Sequence, residues 1–336
     1  MAGARAARPR HGLTRMLLRS LLSLMSPGGS RARLSILIYH RVLPAPDPLL
    51  PGDPHADEFR WQMRLLARSM SPLPLDEAVD RLQAGTLPAR AVSVTFDDGY
   101  ADNAEVALPI LREAGVPATF FIATGYLDGG RMFNDTLIET VRRLPAGPID
   151  LTPEGLGQRQ LDTVADRLEL IRELIGRFKY QPAEQRTAGT EAIARRFGLE
   201  LPDDLMMTRA QVHELAAAGM GIGGHTATHP ILTEVDATTA RAEIQRGKAD
   251  LETLLDRPLR LFAYPNGRPD RDYAAEHVQI ARECGFDAAV STAAGAARAA
   301  SDPFQLPRFT PWDRTPLRFG LRLARNLAEP RERRAA

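Results

Sequence analysis

Three short windows of this chain carry residues whose types and spacing can do chemistry. The first is Thr95-Phe96-Asp97-Asp98-Gly99-Tyr100, directly after the apolar run Val92-Ser93-Val94. Side chains alternate along a strand, so adjacent carboxylates at its end project to opposite sides. Gly99 then permits a sharp turn into a helix. One carboxylate can bind a metal ion while its neighbour faces another part of the same pocket. A plain helix N-cap, where Asp is common, accounts for the pair about as well. The second window is His225-Thr226-Ala227-Thr228-His229-Pro230, preceded by Gly219-Met220-Gly221-Ile222-Gly223-Gly224. Two imidazoles four residues apart can converge on one ion, and Pro230 with the glycines predicts a loop leaving a strand. The glycines lack the lysine and the spacing of a phosphate-binding loop. The two windows together supply two imidazoles, one carboxylate and a spare carboxylate. That set suits zinc or another first-row divalent ion with positions left open for water and substrate. A non-haem iron oxygenase would use a similar triad, but strand–helix alternation and the H-x-x-x-H pair weigh against it. The third window, Ser35-Ile36-Leu37-Ile38-Tyr39-His40-Arg41-Val42, is an apolar run ending on the side chain that titrates near neutral pH. Its local pattern alone reads as a core histidine.

The elements that must position these residues follow from pattern and length. At 336 residues the chain suffices for one large α/β domain or two small ones. A hydrophobic fraction of 44% and a charged fraction of 25% are those of an ordinary globular protein. The net charge of +1 gives no global reason to invoke nucleic acid. The single cysteine, Cys284, excludes an intrachain disulfide framework and any multi-cysteine metal site. Strand-type runs at residues 35–39, 91–96, 118–122, 220–224, 259–264 and 288–291 alternate with helix-period segments at 59–68, 76–82, 103–114, 210–218, 237–255 and 272–284. Such alternation predicts a parallel sheet with crossover helices, a closed or nearly closed barrel ahead of an open doubly wound sheet. Between about residues 127 and 207 no strand is evident, while Val164 to Ile175 has apolar residues at helical spacing. A helical insertion is expected there, on loops at one end of the barrel, where it can shape a substrate cleft.

Residues 1–33 hold seven arginines and no acidic residue around the apolar run from Met16 to Met25. Arg19 interrupts that run, and the residues after it offer a poor cleavage site, which weighs against a secretory signal. The expectation is an uncleaved basic leader, disordered or lying on a membrane surface, on a cytoplasmic or inner-membrane-associated protein. Peripheral membrane contact through this leader belongs to that expectation. The folded domain is expected over residues 34–330, with a basic tail at 331–336.

Taken together, "TFDDGY" and "HTATH" resemble the polysaccharide deacetylase family, also called NodB-homology carbohydrate esterases. The resemblance runs from about Ile36 to Leu327, outside the insertion. It implies an α/β fold, a distorted (β/α)7-type barrel with a helical insertion, and hydrolytic removal of acetyl groups from N-acetylated sugars. It implies that Asp98, His225 and His229 hold a divalent metal, Zn2+ first, with Co2+, Ni2+ or Fe2+ as alternatives. Asp97 is then the general base. A further family motif reads Arg-x-Pro-Tyr; here Ala263-Tyr264-Pro265-Asn266-Gly267 stands in the matching place. By that match Tyr264, Pro265 and Asn266 bind substrate or oxyanion, the Asn266 N–H being the donor. Pro-Asn-Gly is turn chemistry in any case. The motif's arginine, which pairs with the base, is Ala263 here, and Arg308 in Leu306-Pro307-Arg308-Phe309 is the expected substitute, grouped with Tyr264, Pro265 and Asn266 among the residues that bind oxyanion or substrate. The family's Leu-x-His near the C-terminus, whose imidazole protonates the departing amine, is absent. Of the remaining histidines only His40 follows a core strand. One branch, similar to poly-N-acetylglucosamine deacetylases, carries its acid histidine on the first strand in a "YH" context, which "LIYHRV" matches. The resemblance thus assigns the acid to His40. The expected partner is an N-acetylated glycan or glycolipid, without nucleic acid. A small-amide (ureide-like) hydrolase and a catalytically weak glycan-binding protein are the alternatives. Asp135 either contacts substrate or caps the helix that follows it.

Overall fold

The computed structural model describes residues 10–329 and 333–336. Helix α1 (Arg10–Met25) precedes strand β1 (Ser35–Tyr39), α2 (Ala56–Ser69), the two-residue β2 (Ser71–Pro72), α3 (Leu75–Gln83), β3 (Ala91–Phe96), α4 (Leu108–Ala114) and β4 (Ala118–Ile122). The next stretch holds α5 (Phe133–Arg143), β5 (Pro148–Leu151), β6 (Gly157–Gln160), α6 (Val164–Phe178) and α7 (Ala183–Arg196). It is followed by α8 (Arg209–Ala217), β7 (Gly221–Gly224), α9 (Ala237–Leu255), β8 (Leu261–Ala263), α10 (Ala275–Glu283), β9 (Ala288–Val290) and α11 (Pro316–Ala328).

Every pairing in the main sheet is parallel, in the order β1-β3-β4-β7-β8-β9, with β2 beside the start of β3. β1, β3 and β4 are buried along their whole length, which is why they read as unbroken apolar runs rather than alternating ones. The predicted α/β barrel is therefore the observed architecture. Its closure uses a segment that the sequence does not mark as a strand. Leu306 N–H donates to Ala289 O and Phe309 N–H to Ile36 O, both at 3.0 Å, and Ile38 N–H donates to Phe309 O at 3.1 Å. Residues 306–309 thus stitch β9 to β1. Pro307 obscures them, because proline argues against a strand.

An aromatic cluster fixes the strand ends from which the site projects. Tyr39 packs on Phe59 and Phe96 with ring centroids 5.2 and 5.5 Å apart, and Phe96 stacks on Phe120 at 4.7 Å. Each fully buried ring contributes about 1.5–3 kcal/mol. Tyr39 immediately precedes His40 and Phe96 immediately precedes Asp97, so core packing sets where both leave the sheet.

Two expectations need correcting. The insertion contains an antiparallel hairpin, β5 with β6, as well as helices, and has a core of its own around Leu137, Val141, Leu151, Leu170, Leu174 and Ile193. β6 reads Gly-Gln-Arg-Gln and carries no apolar residue, so it leaves no period-2 signal. The folded domain also starts before residue 34. Leu22 is fully buried, Arg33 N–H donates to Ser26 Oγ at 3.0 Å, and Arg90 N–H donates to Ser26 O at 3.0 Å. Residues 22–33 therefore pack onto the barrel instead of forming a disordered leader; residues 1–9 lie outside the described part. At the other end, Ala335 N–H donates to Gln305 Oε1 at 2.7 Å, so the end of the basic tail also touches the barrel.

Candidate active site

β3 delivers both carboxylates to the C-terminal end of the barrel strands, the end at which parallel barrels build their sites. Asp97 is buried, and its N–H donates to Tyr39 O at 3.0 Å, tying the ends of β1 and β3 together. Its carboxylate takes two parallel bonds from Arg308, Nη1 to Oδ1 and Nη2 to Oδ2, each 2.7 Å. Arg308 is fully buried; its Nε donates to Ser291 O at 3.0 Å and its Nη1 to Thr95 Oγ1 at 3.2 Å. Burial alone would raise the Asp97 pKa, but Arg308 and then His225 outweigh it and hold the carboxyl below the usual range. Asp97 is thus an ionised carboxylate in a fixed orientation.

Asp98 turns the other way, at φ 77°, and Gly99 follows at φ 91°. A Cβ at Gly99 would sit 3.2 Å from Ile122 Cγ2, so this turn uses glycine for both its conformation and its space. Asp98 Oδ1 is buried, accepts no hydrogen bond, and lies 3.3 Å from Nε2 of both His225 and His229. His225 Nδ1 is 2.7 Å from Ala263 O. A carbonyl only accepts, so Nδ1 carries a proton and Nε2 is the atom turned to Asp98. Facing a buried carboxylate oxygen, Nε2 calls for positive charge between them, a proton or, on the neutral ring, a metal ion. The ligand-type atoms of Asp98, His225 and His229 all lie within 4.8 Å of one another, and the set fits a small divalent ion. Burial pushes His229 down to about 3, so that imidazole stays neutral, the form a metal takes. Burial also lowers His225, but Asp97 and Asp98 more than offset it and raise that pKa.

The histidine loop is strained and braced. Thr226 and His229 have φ of 64° and 55°. Glu243, on α9, accepts from the N–H groups of Ala227 and Thr228 at 3.1 and 2.7 Å and from Thr228 Oγ1 at 3.0 Å. One turn further along α9, a Cβ on Gly247 would stand 2.5 Å from Thr226 O, so only glycine lets the helix approach so closely. Neither Glu243 nor Gly247 is evident from the sequence. Their sole signal is a four-residue spacing on a helix that otherwise reads as ordinary crossover.

β1 brings His40 to the same rim, exposed and on the cavity wall. Asn103 Nδ2 donates to His40 O at 2.9 Å. Arg41 Nε donates to Asp102 Oδ2 at 2.7 Å, Val42 N–H donates to Asp102 Oδ1 at 3.1 Å, and the Arg41 guanidinium lies 4.8 Å above the Tyr100 ring. Asp102 and Asn103, four and five residues past Asp98, therefore hold the His40 turn. Asp53 faces His40 and Arg41, and burial pushes it up to about 6.

His40, Asp97, Asp98, His225, His229 and Asn266 line one cavity of about 260 Å3, to which the insertion adds Phe133, Ile175 and Lys179. Asn266 sits at φ 57°, and its N–H meets no acceptor among the described residues. Three expected substrate contacts are corrected. Tyr264 is fully buried, stacked on Tyr273 at 4.0 Å, and donates from its hydroxyl to Phe304 O at 3.0 Å, so it is a core residue; Pro265 is also buried. Arg308 is likewise no substrate contact, because it lies behind Asp97 with no exposed surface. Asp135 is buried, and its carboxylate accepts from the Tyr100 hydroxyl at 3.1 Å, away from the cavity wall. Burial pushes it up to about 7.

Comparison with known proteins gives a consistent picture. The model of a family described as polysaccharide deacetylase matches residues 84–169 and 179–289. The chain is 21% identical over 267 residues to YxkH of Bacillus subtilis, a protein assigned to the polysaccharide deacetylases, covering 79% of this chain and 67% of that one. Among solved structures, the Streptococcus pyogenes deacetylase PplD in complex with acetate superposes with a TM-score of 0.58 at 22% identity, over 89% of this chain and 99% of that one. IcaB from Ammonifex degensii gives 0.57 at 20% identity, over 90% and 99%. At such identities the two structures attest the fold.

Proposed function

The chain belongs to the polysaccharide deacetylase family and is a hydrolase of N-acetyl groups on polysaccharide, and from that premise we propose a divalent-metal enzyme acting on a hexosamine-containing polysaccharide or glycolipid. The observation that carries this reading is Asp98 Oδ1, buried without a donor between two imidazoles and beside a second, ionised carboxylate. Asp98, His225 and His229 would hold the ion, with Zn2+ the first candidate for a site of two nitrogens and one oxygen. When bound, such an ion polarises the acetyl carbonyl and lowers the pKa of water from 15.7 to about 7.

The chain's own residues supply the rest. Asp97, kept ionised and aimed by Arg308, takes the proton of the attacking water. Attack places negative charge on the acetyl oxygen, and the unpartnered N–H of Asn266 is free to receive it. When the carbon–nitrogen bond breaks, acetate leaves and the sugar amine needs a proton, which His40 delivers from the β1 rim. Phe133 and Ile175, from the insertion, limit water on the cavity wall. The absence of the usual motif arginine at Ala263 favours a binding-only protein, but Arg308 makes the same kind of pairing and removes that argument.

The test is acetate release from partially acetylated glucosamine oligomers. Chelation should abolish release and zinc or cobalt should restore it. Asp97→Asn should lower the rate by about 10²–10⁴-fold, the usual worth of a positioned base. If no acetylated sugar yields acetate with any divalent metal, the proposal falls.

A further inference from the structure

Helices α1 and α11 pack side by side on the outside of the barrel. They cross at Gly320, where a Cβ would stand 2.9 Å from Leu18 Cδ2. Their inner faces are ordinary core: Leu22, Phe319, Leu323 and Leu327 are fully buried. Their outer faces are not ordinary surface. Met16, Leu17, Leu21 and Leu24 on α1 and Leu317 and Leu321 on α11 are all exposed, Leu24 at 82% and Leu317 at 64%. Trp312, in the segment leading into α11, is 67% exposed. Among the described residues these seven are all but two of the exposed large hydrophobic side chains, so the exposure is concentrated on the paired helices α1 and α11 and the segment that leads into α11. Beside it runs a mostly apolar groove of about 640 Å3 lined by Leu18, Trp61, Leu65, Leu317 and Leu321. Scattered exposed leucines need no explanation, but a contiguous patch marks a docking surface.

Charge decides what docks. The chain as a whole is nearly neutral at +1, yet α1 and α11 carry six arginines (10, 15, 19, 318, 322 and 325) and no acidic residue. Among the described residues, Arg19, Arg318 and Arg325, and Arg68 at the groove, pair with no carboxylate. Leucines on the helix crowns with arginines beside them, and a tryptophan nearby, satisfy two depths at once: acyl chains for the apolar groups and phosphates for the guanidinium groups. No described helix is long and apolar enough to cross a membrane, so the helices would lie in its surface.

We propose that the α1–α11 face docks the enzyme on an anionic phospholipid bilayer. The proposal goes beyond the catalytic reading and does not depend on it. It also fixes an orientation. Arg314, just before α11, pairs with Glu58 at the start of α2, the end of the barrel where β1 delivers His40; Asn326, near the end of α11, donates to Ser35 Oγ at the start of β1 at 3.2 Å. α11 therefore runs along the barrel wall, and docking lays the barrel on its side with the cavity mouth at the membrane edge.

The experiment is flotation of the full chain with vesicles of phosphatidylcholine alone or mixed with phosphatidylglycerol. Wild type should float with the anionic vesicles, bind phosphatidylcholine at least about tenfold more weakly, and lose anionic binding as salt rises. Leu317→Ser with Leu321→Ser should reduce partitioning about tenfold or more. Arg318→Glu with Arg325→Glu should remove the preference for anionic lipid. Both pairs are exposed and distant from the cavity, so circular dichroism and acetate release from soluble oligomers should match wild type. Wild type that stays unbound with both vesicle types overturns the proposal. So does equal flotation of the serine pair, or a concentration-dependent dimer that the serine pair abolishes in place of lipid binding.

Discussion

The pocket of Asp98, His225 and His229 draws its ligands from two windows a few residues long, whereas the seam between β1 and residues 306–309 joins His40 to Arg308 across most of the chain. The pocket is built by backbone strain. Asp98, Thr226 and His229 all have positive φ, a Cβ at Gly99 would be crowded by Ile122, and one at Gly247 would collide with Thr226 O. Such geometry is written locally, since a turn of this kind needs particular residues in a row. The seam uses extended backbone and depends on barrel closure, so what it needs is a guanidinium behind Asp97 and an imidazole at the rim, whichever segment supplies them. The matched family model reflects the contrast: its residues, 84–169 and 179–289, include the whole pocket and neither His40 nor Arg308.

If that contrast is sound, breaking the seam should leave the pocket standing. Arg308→Met carries the largest expected effect. It strips a buried carboxylate of its bidentate cationic partner, at a cost of about 3–5 kcal/mol in unfolding free energy. Denaturant melts of the chelated protein read that loss. Metal analysis of the folded fraction should still find one ion per chain, because no ligand has changed. Loss of metal along with stability would show that the seam and the pocket are one unit.

His40→Ala tests the other side of the seam. Its rate on an amide substrate should fall by about 10²–10⁴-fold, with metal content and stability close to wild type. An acetyl ester, whose leaving group needs no such proton, should lose much less. Equal losses on amide and ester would remove His40 from the acid role.

Glu243→Gln probes the pocket instead. Glu243 accepts three hydrogen bonds from the histidine loop, and an amide in its place can satisfy fewer of them. Affinity for the ion should drop about 10–100-fold, the usual effect of disturbing what orients a ligand, while activity at saturating metal recovers. Failure to recover would mean that Glu243 serves the chemistry itself.

What could be read in the sequence follows the same division. The buried strands, their crossover helices and both metal-type windows are contiguous patterns, and these are legible. Arg308 is legible only as an arginine near a proline, because its partner lies more than two hundred residues away. β6 is all polar, and Tyr264 looks like part of a motif although its ring belongs to the core. The face of α1 and α11 is half legible: the basic, apolar N-terminal run is plain, but its packing on a C-terminal helix is a tertiary fact. Asp102 and Asn103 follow a conspicuous motif yet carry no recognisable spacing of their own, and they are what joins the pocket's strand to the seam's histidine.

That link gives the smallest effect and the sharpest test. Asn103 is fully buried in the π-helical turn at Asn103–Ala107, and its amide donates to His40 O and, at 3.1 Å, to Asp102 Oδ1. Asn103→Ala removes both bonds and leaves the part-buried His40 carbonyl without its donor, which costs about 1 kcal/mol in stability. If the turn positions His40, the rate on amide should also fall, but only several-fold, because the imidazole stays at the rim with looser placement. The double variant with His40→Ala then separates positioning from mere destabilisation. Its stability loss should equal that of Asn103→Ala, since His40 is exposed, whereas its rate should equal that of His40→Ala, since there is no acid left to misplace. Rate losses that multiply in the double variant would show that Asn103 acts on the pocket through β3, and that the two regions are not separable.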